Sequence, residues 1–216
     1  MSSLKNPLSI WAGSLPLLLS LASCSPKGPA PNTPAFYWQA ARETFAAADY
    51  LKTTEHLRRV IRSENEFTQR ALPWRLVVSS AIAQANIDLA DDCQAGLRAD
   101  PQSETAMRLA LMKYRREAET RSLEFAESFI MFRKAYEGQT VNLEFPFPAL
   151  KTADILERGK VQGGALPSAE VMATVEKRMI ERAIAESAAA AAGAPADIVK
   201  GRLAFESGRA ETPRET

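Results

Sequence analysis

From Gln102 to Glu137 the chain contains neither proline nor glycine, and Met107, Leu111, Tyr114, Ala118, Phe125, Phe129, Phe132 and Tyr136 follow one another at gaps of four and three, with one gap of seven. That is one helical face in heptad register, with Ser103 placed to cap it. A single helix of ~35 residues would be ~50 Å long, and such an element forces a fold in which other helices lie along it. Two helices with a break near Glu119 are the alternative. Charges alternate from Lys113 to Arg121, and Glu117 stands four residues before Arg121, which reads as a solvated face. The aromatics Phe125, Phe129, Phe132 and Tyr136 read as core packing. An exposed groove for a partner helix or a lipid chain is the other reading.

Upstream the helical spacing continues and strand signals are scarce. Thr33 or Asn32 can cap a helix that has Pro34 in its first turn. Tyr37, Ala40, Ala41, Thr44 and Ala48 make one face of it. Asp49 and Tyr50 mark a turn, after which Leu51, Thr54, Leu57, Val60 and Ile61 make a second face. A further pair starts at Pro73, with Trp74, Val77, Val78, Ile82, Ala85 and Leu89 on one wide apolar face. It turns at Asp91 or Asp92 and continues through Cys93, Gly96 and Leu97 until Pro101, which disfavours helix at the residue before it.

Tyr37, Ala41, Asp49, Tyr50, Leu57 and Val60 resemble the pattern of a tetratricopeptide repeat: an early aromatic, a small residue four later, an Asp-Tyr turn and spaced apolar positions on the second helix. Thr44 and Thr53 stand where that pattern has an aromatic and an alanine. The segment Ala95–Pro101 resembles the end of such a repeat, and the likeness spans roughly residues 35–115. It implies stacked helical hairpins with a concave binding face.

Downstream, Val141, Leu143, Phe145 and Phe147 alternate, but Pro146 and Pro148 interrupt them. The segment reads as an extended arm, not a central strand. A short helix from Leu150 to Glu157 ends at Gly159, and a glycine-rich loop runs from Val161 to Pro167. That loop has neither GxGxxG nor a Walker lysine, so it carries no phosphate role. Ser168 caps a helix running to about Ala192 through Met172, Val175, Met179, Ala183 and Ile184. Asp197 opens a last short helix to Phe205.

The N-terminus directs the functional reading. Lys5 is followed by an uncharged apolar stretch from Leu8 to Ala22, shorter than the ~20 residues a spanning helix needs and suited to a secretory signal. At its end Leu21, Ala22, Ser23 and Cys24 resemble the lipobox of bacterial lipoproteins. The resemblance implies that the Cys24 thiol receives a diacylglycerol group and that the signal peptidase, recognising Leu21, Ala22 and Ser23, cuts before it. Ser25, standing where aspartate favours the inner membrane, implies an outer-membrane address facing the periplasm if the cell is Gram-negative. An ordinary secretory signal with a chance cysteine is the other reading. The segment SPKGPAPNTP, residues 25–34, is a proline-rich spacer of ~30 Å reach.

Composition narrows the partners. The chain has 27 Lys plus Arg and 26 Asp plus Glu, and a leader holding only Lys5 leaves the mature part balanced. No basic stripe points to nucleic acid and no polybasic patch to anionic lipid. Of the two cysteines, Cys24 is assigned to lipid, which leaves Cys93 as a buried core thiol. His56 is the only histidine and reads as solvated or packed. Asp88, Asp91 and Asp92, and likewise Glu64 and Glu66, read as surface patches. No GxSxG, HExxH or CxxC occurs.

The sum is an all-α protein of helical hairpins in a tetratricopeptide-like array or bundle, with an irregular proline-containing arm and C-terminal helices. Its expected parts are a signal peptide at 1–23, a lipidated cysteine and linker at 24–34, helical hairpins at 35–137, arm and C-terminal helices at 138–206, and a polar tail at 207–216. The expected function is a membrane-anchored interaction scaffold binding another envelope protein, with no catalytic residue, metal or cofactor. The alternatives are a carrier of a small apolar or lipid ligand, which needs an enclosed apolar cavity, and a cell-wall enzyme, which needs converging polar groups.

Overall fold

The computed structural model describes residues 28–136 and 154–191. The expectations for the leader, Cys24, the arm at 138–153 and the last short helix fall outside the described residues. Within them the protein is all-α: α1 (Pro34–Ala46), α2 (Tyr50–Val60), α3 (Thr68–Ala99), a short 3-10 turn (Pro101–Ser103), α4 (Glu104–Ala135), α5 (Asp154–Gln162) and α6 (Ala169–Ala191). No helix among the described residues is long and apolar enough to cross a membrane.

α3 is the axis. From Ala71 to Ala83 every residue is buried, the mark of a helix enclosed on all sides. α2, α4, α5 and α6 all pack against it, and α1 packs on α2. α4 runs antiparallel to α3. Gln94 meets Arg115 near one end, and Gln69 meets Tyr136 at the other. The heptad face of α4 lies in this contact, with Met107, Tyr114, Phe125 and Phe132 nearly or wholly buried and Phe132 stacked on Tyr136 at 4.8 Å. α4 is one helix, with no break at Glu119. The capping role assigned to Ser103 concerns a side chain outside those described.

α1 and α2 form the expected hairpin. The Thr33 side chain accepts from the Phe36 amide and Pro34 opens the helix. The buried face is Trp38, Ala41 and Phe45; of the expected face Ala41 is buried, while Tyr37, Ala40 and Thr44 are only half-buried, one residue around from it. The large rings at spacing 38–41–45 win because they bury more apolar area. Phe45 meets Trp74 edge-on at 5.0 Å and ties the hairpin to α3. On α2 the burial falls on Tyr50, Thr53, Thr54, Leu57 and Val60, and Leu51 is exposed. The hydroxyls of Thr44 and Thr53, the two departures from the repeat pattern, lie 3.1 Å apart across the hairpin.

The second hairpin is α3 with α4, turning at Pro101–Ser103, not a pair within residues 73–97. α3 begins five residues before Pro73 and continues through Asp91 and Asp92, so the turn expected there is absent. Pro73 has no amide to donate to the Gln69 carbonyl. That carbonyl instead accepts a hydrogen bond from the Tyr136 hydroxyl at the end of α4. A tertiary contact thus replaces the missing intrahelical bond, and the helix passes through a residue that looks like its start.

α5 docks on the C-terminal half of α3 and extends past Gly159 to Gln162. Asp92 is buried beneath it. Arg158 donates to both of its oxygens, Nε at 2.6 Å and Nη2 at 3.1 Å, and Gln162 Nε2 donates at 2.6 Å. The surface role expected for Asp92 is therefore wrong: its carboxylate holds two helices together. Gly96 permits the approach, since a Cβ there would lie 2.2 Å from the Val161 carbonyl oxygen. Ser168 then caps α6, its hydroxyl accepting from the Val171 amide.

Candidate functional site

The hairpin and α4 stand on α3 from two sides, and the space between α2 and α4 is a cleft. α2 contributes Thr54, Glu55 and Arg58, the α3 floor contributes Arg75 and Ser79, and α4 contributes Arg121, Glu124 and Ser128 around a cavity of about 60 Å³. Beyond Arg58 and Arg75 the cleft widens into a mouth of about 510 Å³, where Arg59, Ile61 and Arg62 face Glu127 and Met131. Five arginines and three glutamates line the two parts together, an excess of positive charge in a chain whose formal net charge is only +1.

The arginines divide by role. The Arg75 side chain is 4% exposed, on the floor, and its Nη2 donates to Glu127 at 2.5 Å from a carboxylate that is 60% exposed. Nη1 lies 3.2 Å from the Met131 sulfur. A buried guanidinium is costly to desolvate, and a single half-solvated carboxylate offsets only part of that cost. Arg121 is held by Glu117 and Glu124 at 3.2 and 3.0 Å, yet its buried Nε has no hydrogen-bond partner. Arg121 therefore lines the cleft instead of completing the solvated face read from the sequence. Arg58 and Arg62 are exposed and pair with no carboxylate among the described residues. Arg59 lies over the Tyr37 ring at 5.2 Å and donates to its hydroxyl at 3.0 Å.

The hydroxyls in the cleft are committed to their own helices. Thr54 donates to Leu51 O, Ser79 to Leu76 O and Ser128 to Glu124 O, at 2.8, 3.1 and 2.7 Å. None is aligned with a base, as a nucleophile would be. What the cleft offers is a set of guanidinium donors, suited to planar anionic groups such as carboxylates.

His56 stacks on Tyr37 at 6.2 Å, and burial first, then the Arg59 charge, push its pKa below the ordinary value. Asp88 accepts from Gln84 at 2.7 Å. Among the described residues no three His, Cys, Asp or Glu side chains gather to hold a metal ion. Cys93 is fully buried, and burial pushes its thiol up to about 11. At pH 8 that leaves roughly a hundredfold less thiolate than an ordinary cysteine. Iodoacetamide is expected to leave Cys93 unmodified in the folded protein and to label it once urea unfolds the chain. Equal labelling in both states would contradict the burial.

No local pattern in the chain marks the cleft, because its walls come from three separated helices. One signal was present: Arg75 is a lone charge in the apolar run from Ala71 to Ala83. Leu21, Ala22, Ser23 and Cys24, the residues assigned to processing and lipidation, lie outside the described residues. No family model matches the chain, and neither a curated protein nor a solved structure matches it.

Proposed function

We propose that the protein is a lipid-anchored scaffold of a bacterial envelope which holds an acidic segment of another envelope protein in the cleft between α2 and α4. The observation that carries the reading is the pair of exposed arginines Arg58 and Arg62, without a carboxylate partner among the described residues, at the mouth of a cleft whose floor is the buried Arg75. Desolvating a guanidinium on a floor stabilises a fold poorly, and its use is to meet an anion. The carrier reading loses support, because Phe125, Phe132 and Tyr136 of the aromatic stripe are buried in the core. The enzyme reading loses support from hydroxyls spent on backbone carbonyls.

The anchor and the cleft fit one another. Tyr37, which carries Arg59, also donates to the Asn32 side chain at the end of the spacer. The mouth therefore opens beside the point where the tether enters the domain. A spacer from Cys24 to Asn32, at ~3.1 Å per residue, keeps that mouth within ~30 Å of the lipid.

The test is cross-linked capture from the native envelope, read by mass spectrometry, comparing the wild type with an Arg58→Glu, Arg62→Glu variant and with Arg98→Glu, an exposed reversal at the far end of α3. One acidic partner captured by the wild type and by Arg98→Glu, and reduced at least tenfold in the double reversal, is the expected result. Equal capture by all three would remove the cleft from the account.

A further inference from the structure

Among the described residues, four of the seven large apolar side chains that stand exposed lie on α4: Leu109 at 63%, Met112 at 67%, Leu123 at 74% and Ile130 at 68%. They share one face. Leu109, Met112, Arg116, Glu119, Leu123, Ala126 and Ile130 recur at alternating gaps of three and four, a second heptad seam on the side of α4 turned away from α3. At ~100° per residue the centre of this seam lies more than a quarter turn from Arg121, Glu124 and Ser128, the α4 residues around the inner cavity, while Glu127 at the mouth stands beside it. An amphipathic helix normally has one apolar face, and here that face is already spent on α3. The outer seam is left without a partner among the described residues.

The charges in the middle of the seam say what fits it. Arg116 and Glu119 are exposed, and neither side chain forms an ion pair among the described residues. If two copies met in parallel, Arg116 would face Arg116 and Glu119 would face Glu119, two like-charge layers. Turned antiparallel about a two-fold axis between residues 117 and 118, every layer changes character. Arg116 meets the second copy's Glu119 twice, Met112 meets Leu123 twice, and Leu109 meets Ala126 twice. The pairing closes on itself, as an isologous two-fold interface must. We propose that the outer face of α4 is an antiparallel self-association surface, and that its occupant is a second copy of this chain. The pairing does not depend on what the cleft binds.

The test uses the full chain with Cys24→Ala, so that the one remaining native thiol is the buried Cys93. Met112→Cys and Leu123→Cys are made separately. In the antiparallel pair each introduced cysteine lies eleven residues from its own copy, ~16 Å along the helix, beyond the ~7 Å limit for a disulfide. Mild oxidation is expected to give a covalent dimer from the mixture of the two variants, and little from either alone. Adding Arg116→Glu to both variants is expected to reduce the cross-link at least tenfold, and adding Glu119→Arg as well to restore it. Circular dichroism confirms that each variant keeps its helix. No dimer in the mixture would overturn the proposal. So would self-linking of either single variant, or a double charge swap that fails to rescue.

Discussion

Alanine at Asp92 is expected to lower the stability of the protein by about 3 kcal/mol, the low end of the range for breaking a buried ion pair. The Asp92 side chain is 4% exposed and that of Arg158 is 26% exposed. Removing the carboxylate strands the guanidinium and the Gln162 amide together, but Arg158 can still swing toward water, which keeps the cost at that low end. Since Asp92 supplies the acceptors for both α5 side chains, the loss falls on the docking of α5. Urea unfolding should show the lower midpoint. Trypsin should cut faster after Arg158 and Lys160, which the docked helix shields. An unchanged midpoint with unchanged cleavage would mean that Asp92 does not hold α5.

Alanine at Gly96 is expected to destabilise as well, against the usual trend. In an open helix the change gains up to ~1 kcal/mol, because glycine loses more backbone freedom on folding. Here the new Cβ would meet the Val161 carbonyl oxygen at 2.2 Å and the Met107 methyl at 3.0 Å. The methyl can rotate aside, but the carbonyl belongs to the last turn of α5 and moves only with that helix. Overpacking of this kind costs about 1–3 kcal/mol, which outweighs the gain. Both substitutions act by lifting α5 from α3, so their effects should combine to less than their sum. Full additivity in the double variant would show that α5 is not the shared element.

The all-α class and the length of α4 were legible because period and punctuation act locally. The spacing of Met107 to Tyr136 and the lack of proline and glycine name the helix without any tertiary input. The first hairpin was legible from its cap and its Asp-Tyr turn, although its buried face was placed one residue away from Trp38 and Phe45. The errors on α3 have a common cause. Pro73 looks like a helix start and Asp91–Asp92 like a turn only while their partners are unknown. The Tyr136 hydroxyl, 67 residues beyond the Gln69 carbonyl it meets, and the Arg158 guanidinium, 66 residues beyond Asp92, resolve both. The cleft was illegible for the same reason. Arg58, Arg75 and Arg121 sit on three helices, and no local spacing connects them.

The most direct test of the anchored scaffold is the intact mass of the protein taken from the membrane fraction of its native cells, beside the Cys24→Ala variant. The account predicts a wild-type chain that begins at Cys24 and carries the added mass of its acyl groups, with the variant absent from that fraction. A membrane-bound chain that begins at another residue, or a Cys24→Ala protein that stays with the membrane, would contradict it.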